Sequence, residues 1–505
     1  MNIRKMILTL SAALTLSLAS CNGEPAPEPI TFLNLDSASV ISMIDAIEVA
    51  DLTTEASVDD AYVAYCELDD SVKNEVTNID KLLGFREDIA KLYDVKERLG
   101  SRIDHSKLLI GTYNVNSQCW TEEGFQALKN CGIDIVTGGA YNTTLLDLCE
   151  KYEIGVFLGY LPGWYGGDGS NAGGYASAVP SGTFNSYAEN FTDHPAIWAM
   201  DVGDEPNTAE FPHYGVMIEE AKELFPDKQI YLNLYPSYAG GPQLGYEGTH
   251  RYYRYIEDYI NHVDTDYICY DHYIYAANNP TRFFENFEIV SNAAIKTDRD
   301  FWVVLQVSAD HPTDWITTQQ LRYQTNSALA YGAKVIHWAC WTAGWYILHP
   351  VDSSGNLTEE YAKLQTVNLE LKALSPVYMR YTIKDTVCIN SESANVKERY
   401  DSISNIYESE ELTQSALSEI ICNNGTVVAG YFEKNVGEGS AFMFTNVTEY
   451  LCDKGTVSTL KFKTAKKNAK VIAYYNGKAM NVTPNNNGYY KIDIETGDGL
   501  FITVD

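Results

Sequence analysis

The chain has 505 residues, enough for several domains, and its 68 Asp and Glu against 36 Lys and Arg leave a net charge of −32. That excess argues against nucleic acid or anionic lipid as a partner, because phosphates are repelled, and it suits a neutral ligand. Ten cysteines without Cys-x-x-Cys spacing and nine histidines without zinc-type clustering supply neither a legible disulfide framework nor a metal site, so no metal or organic cofactor is expected.

Arg4 and Lys5 precede an apolar stretch, Met6 to Leu18, which ends in Ala19 and Ser20 ahead of Cys21. A basic start, a short apolar core and small residues before a cut site make a removable export signal, too short to remain as a spanning helix. With a cysteine first after the cut, the segment resembles the bacterial lipoprotein signal. The resemblance implies that residues 1–20 are removed and that Cys21 is acylated, which would hold the body to the outer membrane or cell surface of a bacterium by lipid alone. Loss of Arg4 and Lys5 would take the net charge from −32 to −34. Residues 21–35 interleave Pro25, Pro27 and Pro29 with Glu24 and Glu28 and read as an extended, solvated tether.

Residues 36–104 show apolar positions at helical spacing with few glycines, which predicts a small helical bundle. Its middle part (Ala61, Tyr65, Leu68, Val72, Lys73, Val76, Asn78, Leu82) resembles the three-helix accessory modules found beside carbohydrate-active enzymes on bacterial surfaces, and the resemblance implies a spacer.

From about Lys107 short apolar strands alternate with amphipathic helices. The predicted strands are Leu108–Tyr113, Ile133–Thr137, Ile154–Tyr160, Ala196–Asp201, Gln229–Leu234, Asp266–Asp271, Phe301–Gln306 and Lys334–Trp338. Helical patterns lie between them, for example Thr121–Cys131 stopped by Gly132 and Tyr214–Phe225 before Pro226. Eight such units over residues 105–379 fit an α/β fold of the (β/α)8 TIM-barrel type, whose usual size is about 250 residues. An open doubly wound sheet is expected to carry a glycine-rich loop after its first strand, and Asn114-Val-Asn-Ser-Gln-Cys-Trp120 is none. Beyond residue 380 short alternating strands (Val427–Phe432, Ala441–Thr445, Val471–Tyr475, Tyr489–Ile494, Leu500–Val504) and an Asn476-Gly477 hairpin signal predict a β-sandwich.

The most informative stretch is His194-Pro-Ala-Ile-Trp-Ala-Met-Asp-Val-Gly-Asp-Glu-Pro-Asn207. Asp201, Asp204 and Glu205 cluster where strand four meets its loop, the end of a barrel strand at which chemistry is placed. Glu205 is the leading candidate for a catalytic acid. The competing reading makes Asp204 a helix cap and Glu205 part of a solvated loop. The other strand ends add Tyr113 and Asn114 from strand one, Trp164 and Tyr165 from strand three, and Asn233, Tyr235 and Tyr238 from strand five. Strand six adds Asp271, His272 and Tyr273, strand seven Gln306, and strand eight Trp338, Trp341 and Trp345. Aromatic faces beside carboxylates and amides suit a sugar, whose C–H faces stack on rings while its hydroxyls seek polar partners.

Residues 107–379 resemble the (β/α)8-barrel glycoside hydrolases whose acid/base glutamate ends strand four in an Asp-Glu-Pro or Asn-Glu-Pro motif, here Asp204-Glu205-Pro206. His194-Pro195-Ala196-Ile197, the run Asn368, Glu370, Leu371, Leu374, Pro376 in the last helix, and a strand-eight tryptophan recur in similar enzymes. The resemblance implies that Glu205 is the acid/base, that Trp338 or Trp341 is a sugar platform, and that the partner is a carbohydrate. One position departs from the pattern: the nucleophilic glutamate expected on strand seven is replaced by Gln306, and an amide cannot take up a glycosyl group.

Three accounts follow. In an inverting enzyme Asp271 activates water while Glu205 protonates the leaving oxygen, with the carboxyls roughly 6.5 to 9.5 Å apart. In a substrate-assisted enzyme the 2-acetamido group of the sugar is the nucleophile, and adjacent Asp204 and Glu205 resemble the amide-orienting Asp and the acid of hexosaminidases. In the third, an inactive barrel only binds glycan at the surface. Asp201 is assigned to raising the pKa of the acid. The substrate-binding candidates are Asn114, Trp164, Asp201, Tyr235, His272, Tyr273, Gln306, Trp338 and Trp341.

Overall fold

The computed structural model describes residues 35–98, 100, 102–139, 141–159, 194–278, 280–309, 311, 315–344, 346–390 and 416–505. Residues 1–20, Cys21, almost all of the tether, Trp164, Tyr165 and Trp345 lie outside the described residues. Asp36–Asp505 form one unit.

The alternation of apolar runs and amphipathic helices folds as the sequence predicts, into eight parallel strands. These are β1 Leu109–Tyr113, β2 Ile135–Gly139, β3 Gly155–Leu158, β4 Ile197–Asp204, β5 Gln229–Asn233, β6 Tyr267–His272, β7 Asp300–Gln306 and β8 Ala333–Ala339. They pair in the order β5-β4-β3-β2-β1-β8-β7-β6. The ring closes between β5 and β6 through one parallel bridge, Leu234 with Tyr270, where Leu234 N donates to Cys269 O at 2.9 Å. Inside the barrel Leu109, Ile135, Phe157, Ala199, Tyr231, Tyr267, Cys269, Trp302, Val304, Val335 and Ala339 form the core. His337 shares that interior, its ring centroid 5.6 Å from those of both Phe157 and Tyr231. Gly111 makes the room, since a Cβ there would lie 2.2 Å from His337 Nδ1.

Three helices precede the barrel (α1 Ser37–Asp45, α2 Glu55–Glu67, α3 Ile79–Leu92), and α4 Glu122–Asn130, α5 Thr143–Lys151, α6 Phe211–Leu224, α7 Arg251–His262, α8 Pro280–Thr297, α9 Thr318–Ala330 and α10 Glu359–Tyr378 follow its strands. Thr121, Asn142, Thr317 and Thr358 cap α4, α5, α9 and α10 through their side-chain oxygens, so each loop ends in a residue that satisfies an orphan helix N–H. No helix among the described residues is long and apolar enough to cross a membrane.

The C-terminal residues form two antiparallel sheets, one of six strands and one of three. The larger holds β9 Tyr381–Asn390, β11 Thr426–Lys434, β12 Ser440–Asn446, β14 Val471–Tyr475, β15 Lys478–Asn481 and β17 Gly499–Val504; the smaller holds β10 Leu417–Asn423, β13 Val457–Thr464 and β16 Tyr490–Glu495. Phe442, Phe444, Leu460, Phe462, Ile494 and Ile502 meet between them. Asn476 and Gly477 both have positive φ, 44° and 77°, as a two-residue hairpin between twisted strands requires.

The helical segment, for which the resemblance implies a spacer, packs on the rest of the chain. Arg380, 1% exposed, donates to Glu55 at 2.9 Å and to Asp59 at 2.8 and 3.0 Å. Lys434 of the sandwich reaches Glu55 at 3.2 Å, and the Arg86 guanidinium lies 3.4 Å over the Tyr62 ring while donating to Ala373 O on α10. Charges buried across three parts of the chain tie α2 and α3 to both other parts.

Candidate active site

On a regular strand Asp201 and Asp204, three positions apart, would face opposite sides of the sheet. Strand β4 avoids this with a register shift between Asp201 and Gly203: Asp201 pairs with Tyr231, but Gly203 and Asp204 pair with Leu232 and Asn233. One extra residue rephases the strand, and both carboxylates face the barrel mouth. At the bulge a Cβ on Gly203 would stand 2.2 Å from Tyr214 Oη, so the close approach of α6 demands glycine there. The strand therefore runs past its predicted end at Asp201 to Asp204. Glu205 follows at φ 49°, a left-handed conformation for a non-glycine residue, fixed by its N–H donating to Asn233 O at 2.9 Å. The helical turn beyond is capped by Asn207, whose Oδ1 accepts from Ala209 N, so neither Asp204 nor Glu205 serves as the cap.

Asn233 Nδ2 donates to Asp204 Oδ1 at 3.0 Å and to Asp271 Oδ1 at 2.9 Å. Glu205 and Asp271 are near enough for each to shift the other's hold on its proton. Among the described residues none of the four carboxyls is shifted by a Lys or Arg. Burial, then the charges of Asp271 and Asp204, push Glu205 up to about 10. Asp271 is raised to about 7, by burial and then by Asp204, with Asn233 pulling it down. Burial also raises Asp204, and burial plus Asp204 holds Asp201 well above the carboxylate range. Like charges crowded in a low-dielectric mouth keep protons, so Glu205 holds its proton at neutral pH, while Asp201, assigned from the sequence to raising this acid, is not among the groups that shift it.

Tyrosines form the walls. Tyr113 Oη lies 2.7 Å from Tyr231 Oη and feels Asp204 and Asp201. Tyr273 feels Asp271, and Tyr238 feels both Asp271 and Glu205. Tyr346 stands edge-on to Tyr273 with centroids 5.6 Å apart. Asn114, half-buried with φ 58°, turns Nδ2 to Cys340 Sγ at 3.3 Å. Tyr346 escaped the sequence reading, although it continues the aromatic run of the loop after strand eight.

Five predicted contacts are corrected by strand phase and packing. Val335, His337 and Ala339 point into the barrel, so Trp338 points out; it is fully buried and donates through Nε1 to Asn368 Oδ1 at 2.9 Å, while Asn368 donates to Cys131 O at 2.9 Å. It pins α10 to the barrel and offers no face to a sugar. Trp341 is 1% exposed against Tyr361. His272 alternates with Asp271 and faces α8, where Nδ1 meets Asn286 Oδ1 at 2.7 Å and burial lowers it to about 3. Gln306 is spent inside the fold: Oε1 accepts from Tyr275 N and Ala276 N, and Nε2 donates to Ser308 O. Tyr235 is buried against Tyr255. Replacing Trp338 by Phe should cost about 1–3 kcal/mol in urea denaturation, from the orphaned Asn368 oxygen, and leave KM for any substrate unchanged.

No family model and no curated protein matches the chain. Solved structures do match. A glycoside hydrolase family 30 subfamily 8 xylanase from Clostridium acetobutylicum is 11% identical over 79% of this chain and 96% of that one, with a TM-score of 0.38. A family 51 α-L-arabinofuranosidase from Bifidobacterium longum is 8% identical over 81% and 96%, also at 0.38. An endo-1,4-β-mannanase from Rhizomucor miehei is 12% identical over 53% and 95%, at 0.35. At these identities and scores the role of each residue rests on the geometry above.

Proposed function

We propose that the protein is a glycoside hydrolase acting on a neutral extracytoplasmic polysaccharide or glycan that contains 2-acetamido sugars, held at the cell envelope by a lipid on Cys21. The observation that carries the reading is Glu205: a carboxyl at the carboxyl end of a barrel strand, half-buried, protonated at neutral pH and flanked by the carboxylates of Asp204 and Asp271. Glu205 gives its proton to the glycosidic oxygen as the C1–O bond breaks. The acetamido carbonyl oxygen of the same sugar bonds to C1, and Asp204 accepts the amide N–H as positive charge develops there. Glu205, now a carboxylate, takes a proton from the water that adds at C1; the amide is restored and the acid is reset. Two features support assistance by the substrate over a protein nucleophile. Strand seven ends in an amide already engaged, and Asp204 sits next to the acid in a fixed orientation.

The test is hydrolysis of 4-nitrophenyl N-acetylhexosaminides beside the matching hexosides that lack the acetamido group. Only the former should be cleaved, and Asp204→Asn should lower kcat by about 100-fold or more, as expected for loss of a transition-state charge partner. If no N-acetylhexosaminide or acetamido-containing glycan is cleaved, assistance by the substrate is discarded.

A further inference from the structure

We propose that Asn233 is a positioning residue that sets the relative placement of three acidic residues, Asp204, Glu205 and Asp271, and thereby the pH range of the site. The roles of those residues are the ones proposed above, and the inference rests on that reading.

The seam of the barrel makes the case. Strands β5 and β6 are joined by a single bridge, Leu234 with Tyr270, so the backbone ladder that aligns every other neighbouring pair is nearly missing where Asp271 has to meet Glu205. Asn233 stands on the β5 side of this seam, 4% exposed. Its amide has two protons, and each is directed to a different carboxyl: one stays with β4 at Asp204, 3.0 Å away, and one crosses the seam to Asp271, 2.9 Å away. Its main-chain carbonyl takes the N–H of Glu205 at 2.9 Å and so holds the left-handed turn that aims the acid. Its Oδ1 is occupied by Cys269 Sγ at 3.5 Å. One residue thus ties two acids at the end of β4 to a third on β6, across a seam that carries a single backbone bridge.

The chemistry of the amide matters as much as its place. A lysine or arginine here would bring full positive charge and draw the proton off Glu205. A neutral donor stabilises the anionic forms of Asp204 and Asp271 while leaving Glu205 protonated. The titratable groups facing this set are Asp201 on β4 and Glu205 just after it, Tyr113 from β1, Cys269 and Tyr270 on β6 and Tyr273 beyond it, Tyr238 from the loop after β5, and Tyr252 and Tyr255 from α7. All are acids, and none of them bridges Asp204 and Asp271 as the two amide protons do. In line with this, the hydrogen bond from Asn233 pulls Asp204 downward against burial and is the largest of the effects that pull Asp271 down, ahead of Glu205 and the main chain.

Asn233→Leu, near in shape and without a donor, tests the idea in two ways. With 4-nitrophenyl N-acetylhexosaminide, the acid limb of kcat/KM should move up by about one pH unit, an approximately tenfold loss below the limb, carried by kcat rather than KM. Without any substrate, Tm is followed from pH 4 to pH 9. Carboxyls whose folded pKa lies above the unfolded value support the fold below about pH 4 and lose that contribution as pH rises through the folded pKa. Raising Asp204 and Asp271 further deepens the loss, so the gap in Tm between the variant and the natural protein should be small at pH 4 and widen toward pH 8. Should Asn233→Leu not fold, Asn233→Ser, which can donate to one carboxyl only, must show the same trend at a smaller size. A Tm gap equal at all pH values with an unmoved acid limb would overturn the proposal. If the natural protein cleaves no glycoside, the proposed activity falls, and the Tm comparison alone decides for or against Asn233.

Discussion

Glu205→Gln should lower turnover by about 100-fold or more, the usual contribution of a positioned proton donor, while leaving sugar binding by calorimetry largely intact. Gln keeps the shape and can still donate toward Asp271, but it has no proton to release to a leaving oxygen. A glycan-binding protein on an inactive barrel would show binding in both forms and no turnover to lose, so the same pair of measurements separates the two. The pH dependence carries a second signature. In the natural protein turnover should fall as pH rises through the pKa of Glu205, near 10, and the Gln variant should lack that limb. Stability follows the same titration. The unfolded chain releases this proton near pH 4.3, whereas the folded one keeps it to about 10. Between these values unfolding releases a proton, and the fold loses stability as pH rises. Glu205→Gln abolishes that loss, so at pH 9 the variant should be at least as stable as the natural protein.

Arg380→Leu is the substitution expected to damage the fold most, by about 3–5 kcal/mol, because it strands buried carboxylates instead of removing a balanced pair. Arg380 is 1% exposed and answers both Glu55, which is 9% exposed, and Asp59. Lys434, at 3.2 Å from Glu55, is too far along the network to replace both contacts. Urea denaturation should show the loss, and Arg380→Leu combined with Glu55→Gln and Asp59→Asn should recover a large part of it, since the uncompensated charges are then gone. A loss below about 0.5 kcal/mol, the range of an ordinary surface change, would mean that the helical segment is not fastened through this residue.

Much of the architecture was legible because periodicity reports it directly. Apolar runs of strand length alternating with amphipathic helices, four of them opened by a Thr or Asn cap, leave few alternatives to a barrel, and the Asp204-Glu205-Pro206 turn marks where a strand must stop. Asn476-Gly477 likewise announces a hairpin from its backbone preference alone. The side-chain phase of the barrel strands was not legible. Parallel strands are buried on both faces and show no polar side to orient them, so Ala-Lys-Val-Ile-His-Trp-Ala339 reads equally well with Trp338 inside or outside. Packing decided, placing His337 within and Trp338 against Asn368. The same ambiguity misplaced His272, whose neighbour Asp271 took the inner face.

The sequence by itself determined the order of the elements and singled out the end of strand four, with its Asp204-Glu205-Pro206 run, as the candidate site, because these depend on local pattern and residue type. Only the tertiary structure decided which carboxyls meet. The bulge at Gly203 brings Asp201 and Asp204 to one face, and Asn233 spans a seam with one bridge to set Asp271 against Glu205. Both features arise from the pairing of strands distant in the chain, and a one-residue slip in such pairing turns a side chain from the mouth of the barrel to its outer wall.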